Sequence, residues 1–298
     1  MKALPIEHNF LGIEEKFSSY ENSRIVVLSV PYEHSVSYGK GTGAAPEAII
    51  EASHYVEFWD EQFRRELCFD AGIAAMPALD LAGAVNADAM KAIHDYAQLF
   101  VRDNKLVVTL GGEHSITAPL VQAHLERHPG LSVLQFDAHS DLRLSYLDNE
   151  YSHASAMARV LDFLPPGRLV QLGIRAQCIE EYELIREHGI STFFAHDMRI
   201  NFSFEDLVDK VIESLSDEVY ITFDVDYLDP SIMPTTGTPE PGGFLWDETI
   251  ALIRQIGQAR RIIGMDVVEL SPDSSFPAPT YLCSKLVYKL MNAALAGI

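Results

Sequence analysis

Six residues with metal-ligand chemistry stand in three short runs of this sequence. Phe136-Asp137-Ala138-His139-Ser140-Asp141 puts two carboxylates and an imidazole at alternate positions, so one extended or turning segment can aim all three into a common site. Asp224 and Asp226 flank Val225 where the apolar run 219–223 gives way to a stretch rich in Pro and Gly. Two carboxylates so spaced, with a loop free to curl behind them, form a clamp for a hard cation. His114 closes Gly111-Gly112-Glu113-His114, where the glycines let the backbone approach whatever the imidazole faces. Each run has a plainer explanation by itself. Asp-Val-Asp can be a polar strand end and His114 a hydrogen-bonded one, and short motifs often arise by chance. Together the six exceed what one divalent ion needs, and four carboxylates crowded without cations would repel strongly. Two ions sharing bridging carboxylates satisfy both counts. Oxygen-rich ligands with imidazole and no thiolate point to Mn²⁺ ahead of Zn²⁺. Such a pair lowers the pKa of a water to near neutrality.

The elements that must position these residues alternate along the chain. β-type runs are predicted at 24–30, 67–73, 105–110, 131–136, 168–174, 191–195, 219–223 and 261–268. Helical patterns are predicted at 46–63, 86–104, 116–128, 154–163, 179–188, 204–215, 247–259 and about 281–295. Several of the strands are continuous apolar runs, as expected when helices cover both faces. The expected fold is a three-layer α/β/α sandwich with a mostly parallel eight-stranded sheet. No linker, repeat or charge block divides it, so residues 1–298 are expected to form one domain. In such folds the ligand site lies at the carboxyl ends of the strands, where all three runs fall.

Composition narrows the partners. With 48% hydrophobic and 22% charged residues the chain has the make-up of an ordinary globular protein. A formal charge of −21 opposes binding to nucleic acid or anionic membranes and suits a cationic small molecule. Three scattered cysteines, Cys68, Cys178 and Cys283, fit a reducing compartment rather than a disulfide frame or a thiolate metal site. The N-terminus has no apolar signal-like core and no run approaches a membrane span, so a cytoplasmic location is expected. The glycine-rich stretch 38–46 lacks the spacing of a phosphate-binding loop, and Pro46 followed by Glu47 marks it as the lead-in to a helix.

Three segments, Gly111-Gly112-Glu113-His114-Ser115, Asp137-Ala138-His139-Ser140-Asp141 and Asp224 through Pro230, resemble the signature segments of the ureohydrolases, the arginases and agmatinases. Gly237 through Gly243 and Met265 through Pro272 extend the similarity, which runs from about Val30 to the C-terminus. The resemblance implies the same three-layer, eight-stranded arginase-like fold. It implies that His114, Asp137, Asp141 and Asp224 hold one Mn²⁺ and that Asp137, His139, Asp224 and Asp226 hold the other. His153 matches the family's proton-shuttling histidine, and Glu269 the carboxylate that grips the guanidinium. By itself, His153 reads equally as a helix-start residue packed on its loop, and Glu269 as a strand-end charge. The implied reaction is hydrolysis of a guanidinium group to urea and an amine, in a homo-oligomer, trimeric or hexameric.

Agmatine, giving putrescine and urea, is the expected substrate. Arginases carry a Ser-Gly-Asn-Leu-His-Gly segment where this chain has 148–154, and Asp-Val-Asp after the Gly-Ile-Arg run where this chain has Ala176-Gln177-Cys178. The contacts to an α-amino acid are thus missing. Ala154 and Thr235 replace glycines usual in agmatinases, which keeps other guanidino compounds such as guanidinobutyrate open. Glu33, His34, Tyr38, Asp148 and Glu150 are expected at the pocket rim, where any of the carboxylates could meet a distal ammonium, and the sequence does not choose among them. Rival classes fit less well. A deacetylase of related fold uses a one-metal ligand pattern, a metallophosphoesterase needs downstream Gly-Asn-His segments, and a non-catalytic relative would not need the full ligand set with Glu269.

Overall fold

A computed structural model describes residues 1–296. The eight strands are β1 (Ile25–Val30), β2 (Ile73–Ala75), β3 (Leu106–Gly111), β4 (Ser132–Phe136), β5 (Leu169–Ile174), β6 (Ser191–Phe194), β7 (Glu218–Asp224) and β8 (Arg261–Val268). They form one sheet in the order β2-β1-β3-β8-β7-β4-β5-β6, every pair parallel. Five of the strands are buried along their whole length on both faces, β1 through β5, which is why the apolar runs are continuous rather than alternating. One helical layer includes Asn86–Arg102, Thr117–Leu125, Ala156–Leu161 and Ile179–His188. The opposite layer includes Ala45–Ser53, Phe204–Ser214, Trp246–Ala259 and Ala278–Ala294. Among the described residues no helix is long and apolar enough to cross a membrane.

Two predicted elements differ. The run 67–73 is a short helix, Leu67–Ala71, followed by β2 at Ile73–Ala75. Leu67, Cys68 and Ala71 are buried at helical spacing, and Gly72, with φ +68, turns the chain before the β-branched Ile73. The helix predicted at 46–63 runs from Ala45 only to Ser53. There the Ser53 hydroxyl donates to the Ile50 carbonyl (2.6 Å) and accepts the Leu11 amide (2.8 Å), diverting the chain end into a tertiary contact.

One helix–sheet contact depends on a residue without a side chain. His124 packs edge-on against Tyr220 (4.9 Å between centroids) and across Gly264 of β8, where a Cβ would overlap its ring. Its Nδ1–H donates to the Leu120 carbonyl (2.8 Å), whereas Nε2 is buried without a partner. Burial pushes this imidazole down to about 4, because a proton on Nε2 would bury an unpaired cation. The unfolded chain therefore binds more protons between about pH 6.5 and 4, and stability falls as pH falls through that window, by about 3 kcal/mol at its end. Unfolding free energies from denaturant titrations across pH 7 to 4 are expected to fall less steeply in His124→Asn, by about that amount. Parallel pH profiles would contradict the assignment.

Candidate active site

Four contiguous strands set the frame. Leu110 of β3, Val267 of β8, Phe223 of β7 and Phe136 of β4 are register partners and form one row across the middle of the sheet. Asp137 and Asp224 are the residues immediately after that row on their strands, His114 follows β3, and Glu269 follows β8. The strand order reverses here, since β3 and β4 are consecutive in sequence yet separated by β8 and β7. Such a switch point opens a crevice at the carboxyl edge of a parallel sheet. Gly112 lets the turn after β3 close, because a Cβ there would overlap the Tyr32 backbone.

All six sequence-predicted ligands converge on this crevice. The buried Nδ1 of His114 lies 3.1 Å from Asp137 Oδ2, 3.0 Å from Asp141 Oδ2 and 3.5 Å from Asp224 Oδ2. His139 Nδ1 lies 2.8 Å from Asp226 Oδ2 and 3.7 Å from Asp137 Oδ1. Two groups of ligand atoms result, His114 with Asp137 and Asp224, and Asp137 with His139 and Asp226. Asp137 belongs to both. Asp224 stands on the His114 side, with its Oδ1 accepting the Asp226 amide (2.8 Å).

A second layer, not anticipated from the sequence, fixes these groups. His114 Nε2 meets Thr222 Oγ1 (2.9 Å), whose hydroxyl donates to Asp266 Oδ1 (2.7 Å), while Tyr220 donates to Asp266 Oδ2 (2.8 Å). Since Thr222 spends its proton on Asp266, Nε2 is the protonated nitrogen of His114 and Nδ1 carries the lone pair. Gln135 donates to Asp137 Oδ2 (2.7 Å) and is itself held by Gln171 (2.7 Å). The available signal was polar side chains, Gln135, Thr222 and Asp266, inside otherwise apolar strands.

This arrangement fits divalent cations. A lone pair aimed at three carboxylate oxygens is an acceptor facing acceptors, and His114 Nδ1 has no hydrogen-bond partner although it is buried. In the absence of a cation the same oxygens draw a proton onto Nδ1 instead: burial lowers the His114 pKa, yet Asp137, Asp141 and Asp224 outweigh it and raise it well above its usual range. Burial and then Asp137 push Asp141 up to about 7, and burial with Asp226 raises Asp224 well above the usual carboxylate range. The cluster demands positive charge.

Beside it lies a cavity of about 190 Å³ lined by His139, Asp141, His153, Asp224, Asp226 and Glu269, among others. Glu269 has left-handed backbone, φ +66, as does Asp141 at +53, conformations that cost a non-glycine residue about 1–3 kcal/mol each and persist where surroundings hold them. Glu269 Oε1 accepts the His114 amide (2.7 Å), and burial, followed by the charge of Glu113, pushes it up to about 8. His153 begins a short 3₁₀ turn, with its ring edge-on to Tyr146 at 5.8 Å. Its Nδ1 meets Ser35 Oγ (3.1 Å), which donates to Glu113 Oε1 (2.9 Å). Glu113 also accepts the amides of His34 (2.7 Å) and Ser35 (2.6 Å) and the Ser115 hydroxyl (2.6 Å). Nδ1 is therefore the protonated nitrogen and Nε2 carries the lone pair. Burial lowers the His153 pKa. Ser35, Glu113, Arg143 and Tyr146 were not singled out in sequence, although Glu113 stands within the first motif.

Comparison with known proteins places this geometry. An arginase-family profile matches residues 23–292. The N(1)-aminopropylagmatine ureohydrolase of Synechocystis sp. is 38% identical over 285 residues, covering 93% of this chain and 91% of the relative. The enzyme of the same name from Thermus thermophilus is 40% identical over 277 residues, covering 92% and 91%. The crystal structure of agmatine ureohydrolase from Thermoplasma volcanium superposes with a TM-score of 0.82 at 29% identity, covering 97% of this chain and 94% of that one.

The second layer is open to test. Adding Mn²⁺ to chelator-treated protein is expected to raise its thermal midpoint, and Asp266→Asn to weaken the apparent affinity about 10–100-fold, as loss of a ligand-orienting partner does. A midpoint indifferent to every divalent ion would remove the cation reading.

Proposed function

The chain belongs to the arginase family and is a ureohydrolase-type enzyme, and from that premise we propose that it hydrolyses an aminoalkylguanidine to urea and an amine. The agmatine assignment reached from the sequence is refined here. Relatives at 38% and 40% identity named for N(1)-aminopropylagmatine support that longer aminoalkylguanidine ahead of agmatine itself. The observation that carries the reaction class is the convergence of the six ligands, Glu269 and His153 on one crevice.

The residues that would hold two cations are His114, Asp137, Asp141 and Asp224 on one side, and Asp137, His139, Asp224 and Asp226 on the other. The oxygen-rich, thiolate-free set favours Mn²⁺. When bound, the ions supply a water acidic enough to ionise near neutral pH and Lewis acidity toward the developing charge. Glu269 accepts guanidinium N–H groups at the cavity floor, and the substrate's charge offsets the burial that raises this carboxyl. His153, fixed by Ser35 and Glu113, presents Nε2 to the cavity and carries a proton to the leaving amine. The fold encloses these groups, so the full chain, 1–298, is proposed as one catalytic unit. A homo-oligomer, trimer or hexamer, is retained from the resemblance, and a cytoplasmic location from the cysteine usage.

A second reading has one observation behind it. Arg143 also lines the cavity, and a guanidino acid would meet it with its carboxylate. Its charge is engaged, however, lying over the Tyr146 ring (5.5 Å) with Nε 3.9 Å from buried Glu181.

Urea release by Mn²⁺-loaded protein from aminopropylagmatine, agmatine, guanidinobutyrate and arginine decides among these. The triamine precursor is expected to give the highest kcat/KM. Preference for guanidinobutyrate would replace the aminoalkyl reading, and no urea from any would remove the enzymatic one. His153→Ala is expected to lower kcat by about 10²–10⁴-fold with KM little changed. An unaltered kcat would deny His153 the proton-carrying role.

A further inference from the structure

A second cavity, of about 340 Å³, adjoins the first, and the two share Val36 and Tyr146 as a common wall. The outer cavity is bounded by the loop after β1 at His34 and Ser35, by Asn86, and by the turn running from Tyr146 to Asn149. That turn is closed in both directions, Tyr146 N to Asn149 O and Asn149 N to Tyr146 O, each 3.0 Å. Its central residues Leu147 and Asp148 have φ +49 and +61, the type I′ geometry that ordinarily selects Asn-Gly. Leu147 is 77% exposed, so no burial offsets its strained backbone, whereas aspartate tolerates this region through its short polar side chain.

Two hydrogen-bond acceptors around this cavity have no protein partner among the described residues, one of them shielded and the other exposed. Asn86 Oδ1 is shielded from solvent and has no partner. Among the described residues the Asp148 carboxylate meets no cation and accepts no hydrogen bond. The other rim carboxylates are committed. Glu33 accepts the amides of Gly41 (3.0 Å) and Gly43 (2.8 Å), and Glu150 pairs with Arg159 (3.3 Å). A carboxylate and an amide oxygen on one small cavity call for a compact positive donor, and a primary ammonium supplies three N–H groups.

We propose that the outer cavity binds the distal primary ammonium of an elongated aminoalkylguanidine, with Asp148 as counter-ion and Asn86 Oδ1 as acceptor. The proposal rests on the ureohydrolase reading and adds to it the device that selects chain length. The guanidinium sits against Glu269, the methylenes pass between Val36 and the Tyr146 ring, and the far ammonium reaches the outer cavity. Agmatine, one aminopropyl unit shorter, ends in the inner cavity and does not use Asp148.

The test compares aminopropylagmatine and agmatine as substrates of Mn²⁺-loaded wild type, Asp148→Asn, Asn86→Ala and Glu150→Gln. Asparagine keeps the positive φ and removes only the charge. Asp148→Asn is expected to raise KM for the longer substrate about ten-fold or more at unchanged kcat, and to leave agmatine within about two-fold. Asn86→Ala is expected to raise the same KM about three-fold, and Glu150→Gln to change neither substrate. Calorimetry with spermidine, which carries the tail without the guanidinium, is expected to show about the same ten-fold loss in Asp148→Asn, independently of turnover. Equal changes for both substrates, or none, overturn the site while leaving the reaction class intact. Wild-type protein that releases urea from neither overturns the substrate reading and this site with it.

Discussion

The crowding of like charge at one sheet edge is the constraint on which the rest of the structure depends. Asp137, Asp141, Asp224 and Asp226 are buried together, with Glu269 and Glu113 close behind. Burial drives protons onto Asp141 and Asp224, and the neighbouring charges of Asp137 and Asp226 add to that tendency. The orphaned Nδ1 of His114, a lone pair among carboxylate oxygens, identifies where positive charge belongs. The same surplus makes the adjoining cavity a natural seat for a guanidinium, since a cation entering it relieves a cost the fold already carries.

Holding such a cluster requires a rigid frame, and the four central strands provide it. Their shared row, Leu110–Val267–Phe223–Phe136, aligns four strand ends at one height before any functional residue appears. Behind the ligands, polar side chains inside the sheet do the orienting. Thr222 and Asp266 settle which nitrogen of His114 faces the carboxylates, and Gln171 through Gln135 steadies Asp137. Glu113 performs the corresponding service for His153, tying the loop after β1 to the imidazole through Ser35. These buried groups are tolerable because nearly all of their bonding capacity is met within the network.

Away from the metal-ligand cluster the chain is more permissive, and differences within the family can be written there. The loop from Arg143 to Tyr151 carries the tight Leu147–Asp148 turn and packs through Tyr146 against His153. Its backbone stands in an unusual region that buys no core packing, whereas the strained Asp141 and Glu269 are held by the sheet edge itself. Rim and floor thus obey different rules. The floor is fixed by charge and bonding, and the rim by the shape and charge of what must pass it.

The sequence alone determined the alternation of strands and helices, the eight-stranded parallel sheet and the six candidate ligands that cluster. Each of these is a local pattern: continuous apolar runs encode burial on both faces, and alternate Asp and His positions encode convergence from one strand end. The run 67–73 was misread because apolar content without period does not separate a buried strand from a buried helical turn, and Gly72 decided it. His153 and Glu269 were singled out only through resemblance, since neither stands in a spacing that dictates a role. Only the tertiary structure decided that β8 and β7 lie between β3 and β4, which brings Glu269 beside His114 across 155 positions of sequence. It alone decided that Asp148, rather than Glu33 or Glu150, is the unpaired rim carboxylate. Strand order and side-chain partnership are long-range outcomes of packing two helical layers on one sheet, and no local spacing records them.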